Sequence, residues 1–371
     1  EIEDETPEET LNIGKPLDDQ VDFYAFGGYG ERRGNSTGFY RIASDARNVV
    51  AIYPDGFLPE IDSLSKDWSI TGGIRGELGG WDFDLSAQYG QNQIDFRVLN
   101  SINASLGAAS PTEFEAGGLK YTQWINNFDV SRDIEGLFER TTLAFGRDYR
   151  RESFQVSPGE PDSFRFGGVT VNQNNPLNTS TAGAAPGSQV FPGFQPTIGG
   201  VSVVGVNARE NFSAYAELDI DLIPQWNLQL AGRYEDYSDF GSDWNGKVAT
   251  RFEITDWWAI RGAASTGFRA PGVAQQFFAA AATNNVAGVL VDAVTLPVGN
   301  PVAQALGASP LKPETAVNWS VGTVLSPFAR FNLTVDWFQV DIDDRIVLTE
   351  NLSATRDANG NPSGTGAGRA I

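Results

Sequence analysis

Alternation of apolar and polar residues with a period of two, kept up over long segments, restricts most what this chain can fold into. From Phe212 to Leu222 every second residue is apolar, and the residues between are mostly polar or acidic. This period predicts a β-strand with one apolar face and one polar face. The same reading predicts strands near 21–33, 67–78, 81–97, 121–133, 139–156, 209–222, 226–236, 244–254, 257–268, 315–326 and 330–345.

The length of these segments separates two classes of β-protein. The alternating stretches run for roughly 9–14 residues, whereas strands of soluble proteins average about 5–6 residues. A tilted strand needs about 9–11 residues to cross a bilayer. The connections between the predicted strands also alternate between long and short, as in an up-and-down barrel with short periplasmic turns and long extracellular loops. We therefore predict an all-β, antiparallel, transmembrane up-and-down β-barrel rather than a soluble sandwich.

Aromatic residues support a membrane barrel. Trp81, Trp226 and Trp258 follow short turns, and Tyr89 and Tyr234 lie eight residues further along two of the same strands. Eight residues of a tilted strand span roughly 20 Å, close to the apolar band of about 25 Å between the two aromatic girdles of such barrels. The alternative, that these are core residues of a sandwich, does not explain the matched spacing.

Composition narrows the function. The chain has no Cys and no His, so thiolate chemistry, His general bases and His- or Cys-ligated metal sites are excluded. The formal net charge of -21 argues against nucleic-acid binding. Asp357–Pro362 has some likeness to a calcium loop but lacks its full spacing and its Glu at position 12, and is interpreted as a Gly-centred turn. Asp236, Asp239 and Asp243 either hold a cation or, more simply, solvate a tight hairpin loop. We expect no enzymatic activity, no cofactor and no metal site.

Eleven strands do not complete a barrel, because an open sheet edge cannot face lipid. The chain begins with Glu1 rather than Met, and its last residues, 366–371, have the composition of a loop. We therefore interpret residues 1–371 as a partial barrel domain, lacking an N-terminal plug and the C-terminal closing strands. Residues 1–20 are interpreted as a loop or a flexible start.

Two segments resemble signatures of the TonB-dependent outer-membrane receptors. One is Ser265–Pro271, at the end of a strand that leads into a long loop, and the other is Leu311–Gly322, which opens the next strand. Segments Val50–Leu58 and Tyr149–Phe154 also resemble proteobacterial members of the family. The resemblance covers most of the chain from Val21 onward. It implies that about 11 strands are present of a 22-stranded barrel.

The resemblance also implies a function and partners. Receptors of this family lie in the bacterial outer membrane, among lipid and lipopolysaccharide. They take up a scarce solute such as a ferric siderophore, cobalamin or an oligosaccharide. A plug, not present in this chain, couples them to the TonB energy-transducing complex. Two alternatives stay open from the residues alone: a passive porin-like channel, and an enzyme embedded in a barrel.

Candidate ligand residues lie in the long loop after the strand 257–268. Arg269 stands at the base of this loop, where it either contacts a ligand or holds carboxylates and carbonyls of the strand end. Phe277 and Phe278 either contact an apolar or sugar-like ligand or anchor the loop.

Parity divides the charged residues between the two faces. A polar set is expected to face the lumen and to meet a plug: Glu217, Asp219, Asp221, Arg233, Glu235, Arg251, Glu253 and Arg261. Arg147 shares the parity of Leu143, Phe145 and Tyr149, which places it on the lipid face. Either Arg147 extends to the interface there, or a β-bulge turns it inward.

Overall fold

A computed structural model describes residues 8–178, 190–198, 201–286, 289–349, 352, 354–356 and 362–365 of the chain. Its main feature is a twelve-stranded antiparallel sheet in which strands adjacent in sequence are paired. The strands are β1 (Glu8–Pro16), β2 (Val21–Thr37), β3 (Glu60–Leu78), β4 (Trp81–Leu99), β5 (Phe114–Asp133), β6 (Arg140–Pro158), β7 (Gly205–Ile223), β8 (Trp226–Tyr237), β9 (Gly241–Thr255), β10 (Trp258–Arg269), β11 (Glu314–Leu325) and β12 (Leu333–Asp343). In the described residues, β1 and β12 are the edges of this sheet.

Short elements lie outside the sheet. Four two-stranded ribbons pair Arg41–Ile42 with Gly56–Phe57, Thr197–Ile198 with Val201–Ser202, Ala280–Val286 with Val289–Thr295, and Ala354–Arg356 with Pro362–Thr365. A 3-10 helix spans Ala104–Ala109, and short α-helices span Pro161–Phe164, Val171–Asn174, Val273–Phe277 and Pro301–Ala305. No helix of the described residues is long and apolar enough to cross a membrane.

The start of the chain differs from the sequence prediction. Residues 8–16 form β1, which pairs with β2 from Glu8 opposite Gly30 to Pro16 opposite Asp22. Interpreting all of 1–20 as a loop or flexible start was therefore wrong for β1; residues 17–20 are the turn, and residues 1–7 lie outside the described residues. All residues of β1 are exposed at the sheet edge, and its alternating apolar residues are only Leu11 and Ile13.

The connections alternate between long and short as predicted, except that the connection 238–240 is short where the alternation requires a long one. Connections at one end of the sheet are short, as at Gly79 and Gly80, whose φ angles of +62° and +78° favour glycine. The other end carries the long connections 38–59, 100–113, 159–204 and 270–313, together with one tight turn at 238–240. We call this second end the mouth of the sheet.

The sheet has one apolar and one polar face. The apolar face carries Trp68, Tyr89 and Trp124 on adjacent strands, and the polar face carries Asp148, Arg233 and Glu235. Arg147 stands opposite Phe128 of β5 and Ala214 of β7, and the register is unbroken on both sides. A bulge at this position is excluded, so Arg147 stays on the apolar face.

At the mouth, the polar face itself becomes apolar and is covered by loop segments. Phe154 and Val156 of β6 are buried there against Phe194 and Val273, which belong to the connections 159–204 and 270–313. A neighbouring cluster joins Val98, Phe114 and Ala116 with Val190. The long loops thus fold inward onto the wall that carries them.

Candidate functional site

Arg209 of β7 is the centre of a buried polar cluster just beneath these covering loops. Its Nε lies 2.7 Å from a carboxylate oxygen of Glu152, and less than a tenth of either side chain is exposed. The Tyr121 hydroxyl donates a hydrogen bond to Glu152 as well. The guanidinium carbon lies 5.0 Å from the centre of the Tyr237 ring, a cation–π distance.

The same Arg209 reaches the long loop after β10. Its Nη1 donates a hydrogen bond to the carbonyl of Pro271 and lies 3.6 Å from a carboxylate oxygen of Asp239, in the turn 238–240. Gln276, in the same connection, donates a hydrogen bond from its amide to Asp239 Oδ2 at 2.7 Å. Arg209 of the wall and Asp239 of the turn 238–240 therefore hold the helix Val273–Phe277 in place over the polar face.

A second cluster lies further from the mouth on the polar face. Arg233 of β8 lies 2.6 Å from both Asp148 Oδ2 and Glu235 Oε1, and its Nη2 also donates to the Ser213 hydroxyl. One arginine thus pairs with two carboxylates inside the wall, and charged pairs of this kind are expected for a polar interior. The remaining members of the predicted polar set that form ion pairs are also satisfied there: Asp219 and Asp221 with Arg140, Arg251 with Glu253, and Arg261 with Asp336.

The predicted ligand residue Arg269 lies at the last position of β10, directly opposite Glu314, the first residue of β11. Its Nη1 is 3.2 Å from Glu314 Oε1, and 62% of its side chain is exposed. Glu314 is buried and accepts a second hydrogen bond from the backbone N–H of Ile346, at 2.9 Å. The contacts seen are those of a strand end, and most of the Arg269 side chain is exposed.

The two predicted phenylalanines are in different environments. Phe278 packs against the buried cluster at the mouth, with its ring centre 6.2 Å from that of Phe194. Phe277, the last residue of its helix, is 36% exposed. Phe278 therefore anchors the loop, whereas Phe277 offers an exposed apolar surface; whether it contacts a ligand stays a prediction.

Three long connections at the mouth are joined into one unit by asparagine side chains, a feature that the sequence did not reveal. Asn175 Nδ2 donates to the carbonyls of Ala43 and Asp45, and Asn174 Nδ2 donates to that of Ala104. Asn103 Nδ2 donates to two carbonyls of the segment 162–165. We call this unit, formed by 38–59, 100–113 and 159–178, the loop cap.

The loop cap has its own apolar core. Val49, Phe57, Ile102 and Val171 are almost completely buried against one another, with Tyr53 packed at their side. Burial raises the pKa of the Tyr53 hydroxyl. Three connections far apart in sequence thus share one core, so the cap is preorganised rather than a set of separate loops.

An ion pair supports the cap at its edge. Burial by itself would raise the pKa of Asp45, but hydrogen bonds from the Arg47 side chain and backbone outweigh it and lower that pKa below 3.8. The Arg47 guanidinium lies 2.7 Å from Asp45. Burial also lowers the pKa of the nearby Arg41, whose Nε has no hydrogen-bond partner within the described ranges.

None of the described residues forms a group of three or more acidic side chains able to hold a metal ion. Asp239 instead contacts Arg209 and Gln276, and Asp243 accepts a hydrogen bond from the N–H of Trp244. Residues 357–361 of the calcium-like run lie outside the described residues.

Comparison with known proteins relates this architecture to a family. Residues 10–370 match the family described as TonB dependent receptor-like, beta-barrel. The probable TonB-dependent siderophore receptor PirA of Acinetobacter baumannii is 26% identical over 157 residues, which are 42% of this chain and 20% of that protein. This curated relative is thus much longer than the segment that matches.

Solved structures show the same fold. The siderophore receptor PirA from Pseudomonas aeruginosa aligns with a TM-score of 0.50 at 15% identity, covering 96% of this chain and 55% of that one. The RagAB peptide transporter aligns with a TM-score of 0.57 at 12% identity, covering 97% of this chain and 42% of that one. The chain thus spans about half the length of these structures. The predictions of an antiparallel barrel fold and of the family are confirmed: the chain belongs to the TonB-dependent receptor β-barrel family, a family of outer-membrane receptors.

Proposed function

We propose that this chain forms part of the barrel wall of an outer-membrane receptor that imports a ferric siderophore with energy from the TonB complex. Family membership supports uptake of a solute. The ligand class is supported by the 26% identity to a probable siderophore receptor. Because a peptide transporter shares the fold, the architecture by itself does not select the ligand.

One observation favours a receptor over a passive channel. The connections 159–204 and 270–313 fold into the mouth, where Phe194, Val273 and Phe278 cover the wall and Arg209 binds the carbonyl of Pro271. A channel for passive diffusion needs an open path, whereas a receptor needs ordered loops that present fixed contacts to its ligand. The preorganised loop cap fits the second role, since preorganisation reduces the entropy lost on binding.

In this proposal, the exposed Phe277 and Arg269 contribute to the ligand surface of the mouth. The wall charges around Arg233 and Arg261 face a plug domain, through which the TonB complex acts. Both arginines already have carboxylate partners within the wall. We therefore propose that they present a structured, ion-paired surface to the plug rather than free cations.

Uptake measurements test the proposal. A strain that lacks the complete gene is given a panel of iron-55 siderophores, and complementation with the gene restores accumulation of one of them. Uptake should stop when the TonB gene is deleted or the proton gradient is collapsed. Uptake that continues without TonB would instead identify a passive channel, and restored growth on a peptide or glycan alone would correct the ligand class.

A further inference from the structure

Three aromatic side chains form a continuous shelf on the apolar face of β3, β4 and β5. The ring centres of Trp68 and Tyr89 are 5.1 Å apart, and those of Tyr89 and Trp124 are 6.2 Å apart. Trp68 and Trp124 are 37% and 44% exposed. In the proposed membrane location, such a row marks the interface between the acyl chains and the headgroups.

Two lysines lie just beyond this shelf on the side of the mouth. Lys66 is two residues from Trp68, and Lys120 is four residues from Trp124, so parity puts both on the same face as the shelf. Lys66 stands opposite Gln93, and Gln93 stands opposite Lys120. The two backbones are therefore separated by two strand spacings, about 10 Å, a gap that two lysine side chains can close around one group.

Among the described residues, neither lysine is in a hydrogen bond or within ion-pair distance of a carboxylate, although Glu31 stands directly opposite Lys66. Glu31 accepts hydrogen bonds from the Tyr29 hydroxyl at 3.0 Å and from Arg33 at 3.4 Å. Asp95 accepts from the Gln93 amide, which lies 2.8 Å and 3.2 Å from its two oxygens. The nearby acids thus hold other donors, and in the part of the chain that the structure describes neither ammonium group is hydrogen-bonded to them.

We propose that Lys66 and Lys120 together bind a phosphate group of an outer-leaflet glycolipid whose acyl chains lie along the shelf of Trp68, Tyr89 and Trp124. The two positively charged ammonium groups complement the negative charge of one phosphate headgroup. Aromatic rings directly beneath fix the depth of the lipid, because they mark where its headgroup ends and its chains begin. This site rests on the membrane location proposed above.

The amount of lipid that stays bound to the purified receptor tests this site directly. The complete receptor is purified from the outer membrane, mixed with phosphorylated lipid A, and its bound lipid is counted by native mass spectrometry. The double variant Lys66→Gln, Lys120→Gln is compared with wild type and with Lys247→Gln. Lys247 is a matched control, since its Nζ lies 3.3 Å from Gln229 Oε1 on the polar face.

We expect each lysine to contribute roughly five-fold to lipid affinity, the ratio for about 1 kcal/mol per basic residue at an anionic surface. The double variant should lose most of the bound lipid, Lys247→Gln should keep it, and dephosphorylated lipid A should bind weakly to all three proteins. Equal retention by the double variant and wild type overturns the site, as does equal binding of dephosphorylated lipid. A receptor absent from the outer membrane contradicts the proposed location instead, and fractionation reveals this beforehand.

Discussion

The Arg209 guanidinium and the Glu152 carboxylate lie 2.7 Å apart with less than a tenth of either side chain exposed. Removal of one partner of such a pair leaves an uncompensated buried charge, which costs about 3–5 kcal/mol. We therefore expect Arg209→Met to lower the free energy of unfolding by about this amount. It should also loosen the connection 270–313, because Arg209 binds the carbonyl of Pro271. Unfolding in urea and protease cleavage of this connection measure the two effects.

Arg151 and Glu210 provide the control, because they form an ion pair of the same length with both side chains about half exposed. Exposed pairs contribute about 0.2–1 kcal/mol, so Arg151→Met should change little. The double variant Arg209→Met, Glu152→Gln should recover part of the loss. Equal effects of Arg209→Met and Arg151→Met contradict a special role of the buried pair.

Glu314 joins the start of β11 to the segment that follows β12, since it accepts hydrogen bonds from Arg269 and from the N–H of Ile346. We expect Glu314→Ala to speed hydrogen exchange at the Ile346 amide by at least ten-fold, because one hydrogen bond to a charged group contributes about 1.5–3 kcal/mol. Arg269→Gln should leave this exchange nearly unchanged, since Arg269 is mostly exposed. If Arg269→Gln speeds exchange more than Glu314→Ala does, the arginine rather than the glutamate joins β11 to the segment after β12.

The sequence predicts features that arise from neighbouring residues, but not contacts between residues that are far apart in the chain. Alternation within Phe212–Leu222 is local, and it predicts the strand and its two faces together. β1 was missed because only Leu11 and Ile13 of its nine residues alternate with polar neighbours, too short a pattern to predict a strand of membrane-crossing length. The contacts of Arg209 and Asn175 were missed for another reason: their partners lie 62 and more than 130 residues away, and nothing in the sequence near them signals that distance. Arg269 was recognised, but its partner Glu314 became clear only from the pairing of β10 with β11.

Asn175 tests whether the loop cap is one unit. Its amide donates to the carbonyls of Ala43 and Asp45 and is fully buried. A carboxylate cannot donate, so Asn175→Asp should leave both carbonyls unpaired at a cost of about 1–3 kcal/mol each. We expect the Asn175→Asp variant to be cleaved faster by protease in the connection 38–59, which is far from residue 175 in sequence. Asn332→Asp, in an exposed turn at the other end of the sheet, should not change cleavage; equal cleavage of both variants would show that the loops are independent.

The cap should also depend on pH through Asp45. The pKa of this carboxyl is lowered in the folded cap, mainly by Arg47 against the effect of burial. A group with a lowered folded pKa stabilises above its ordinary value of 3.8 and loses that contribution as the pH falls through the folded value. We therefore expect pepsin to cleave 38–59 increasingly as the pH falls below about 4. The Asp45→Asn variant should be cleaved readily at every pH in this range, with no rise in cleavage below about pH 4. If its cleavage rises as much as that of the wild type, another group is responsible for the pH dependence.

Two tryptophans at the end of the sheet opposite the mouth repeat one hydrogen-bonded arrangement. The indole N–H of Trp226 donates to the Thr250 hydroxyl at 2.9 Å, and this hydroxyl donates to the carbonyl of Asn227 at 2.9 Å. Trp258 and Thr323 do the same, with the carbonyl of Ala259 as the final acceptor. Each indole N–H therefore has a hydrogen-bond acceptor on the apolar face and does not need water or a lipid headgroup.

We therefore expect Thr250→Val to destabilise the barrel by about 0.6 kcal/mol, the average for side-chain hydrogen bonds in membranes. Thr250→Ser should be nearly neutral, since it keeps the hydroxyl. The double variant Thr250→Val, Thr323→Val should lose twice as much, because the two tryptophans lie on different strand pairs. Urea unfolding in lipid vesicles, followed by tryptophan fluorescence, measures these differences. If Thr250→Ser is as unstable as Thr250→Val, the methyl packing rather than the hydroxyl is responsible.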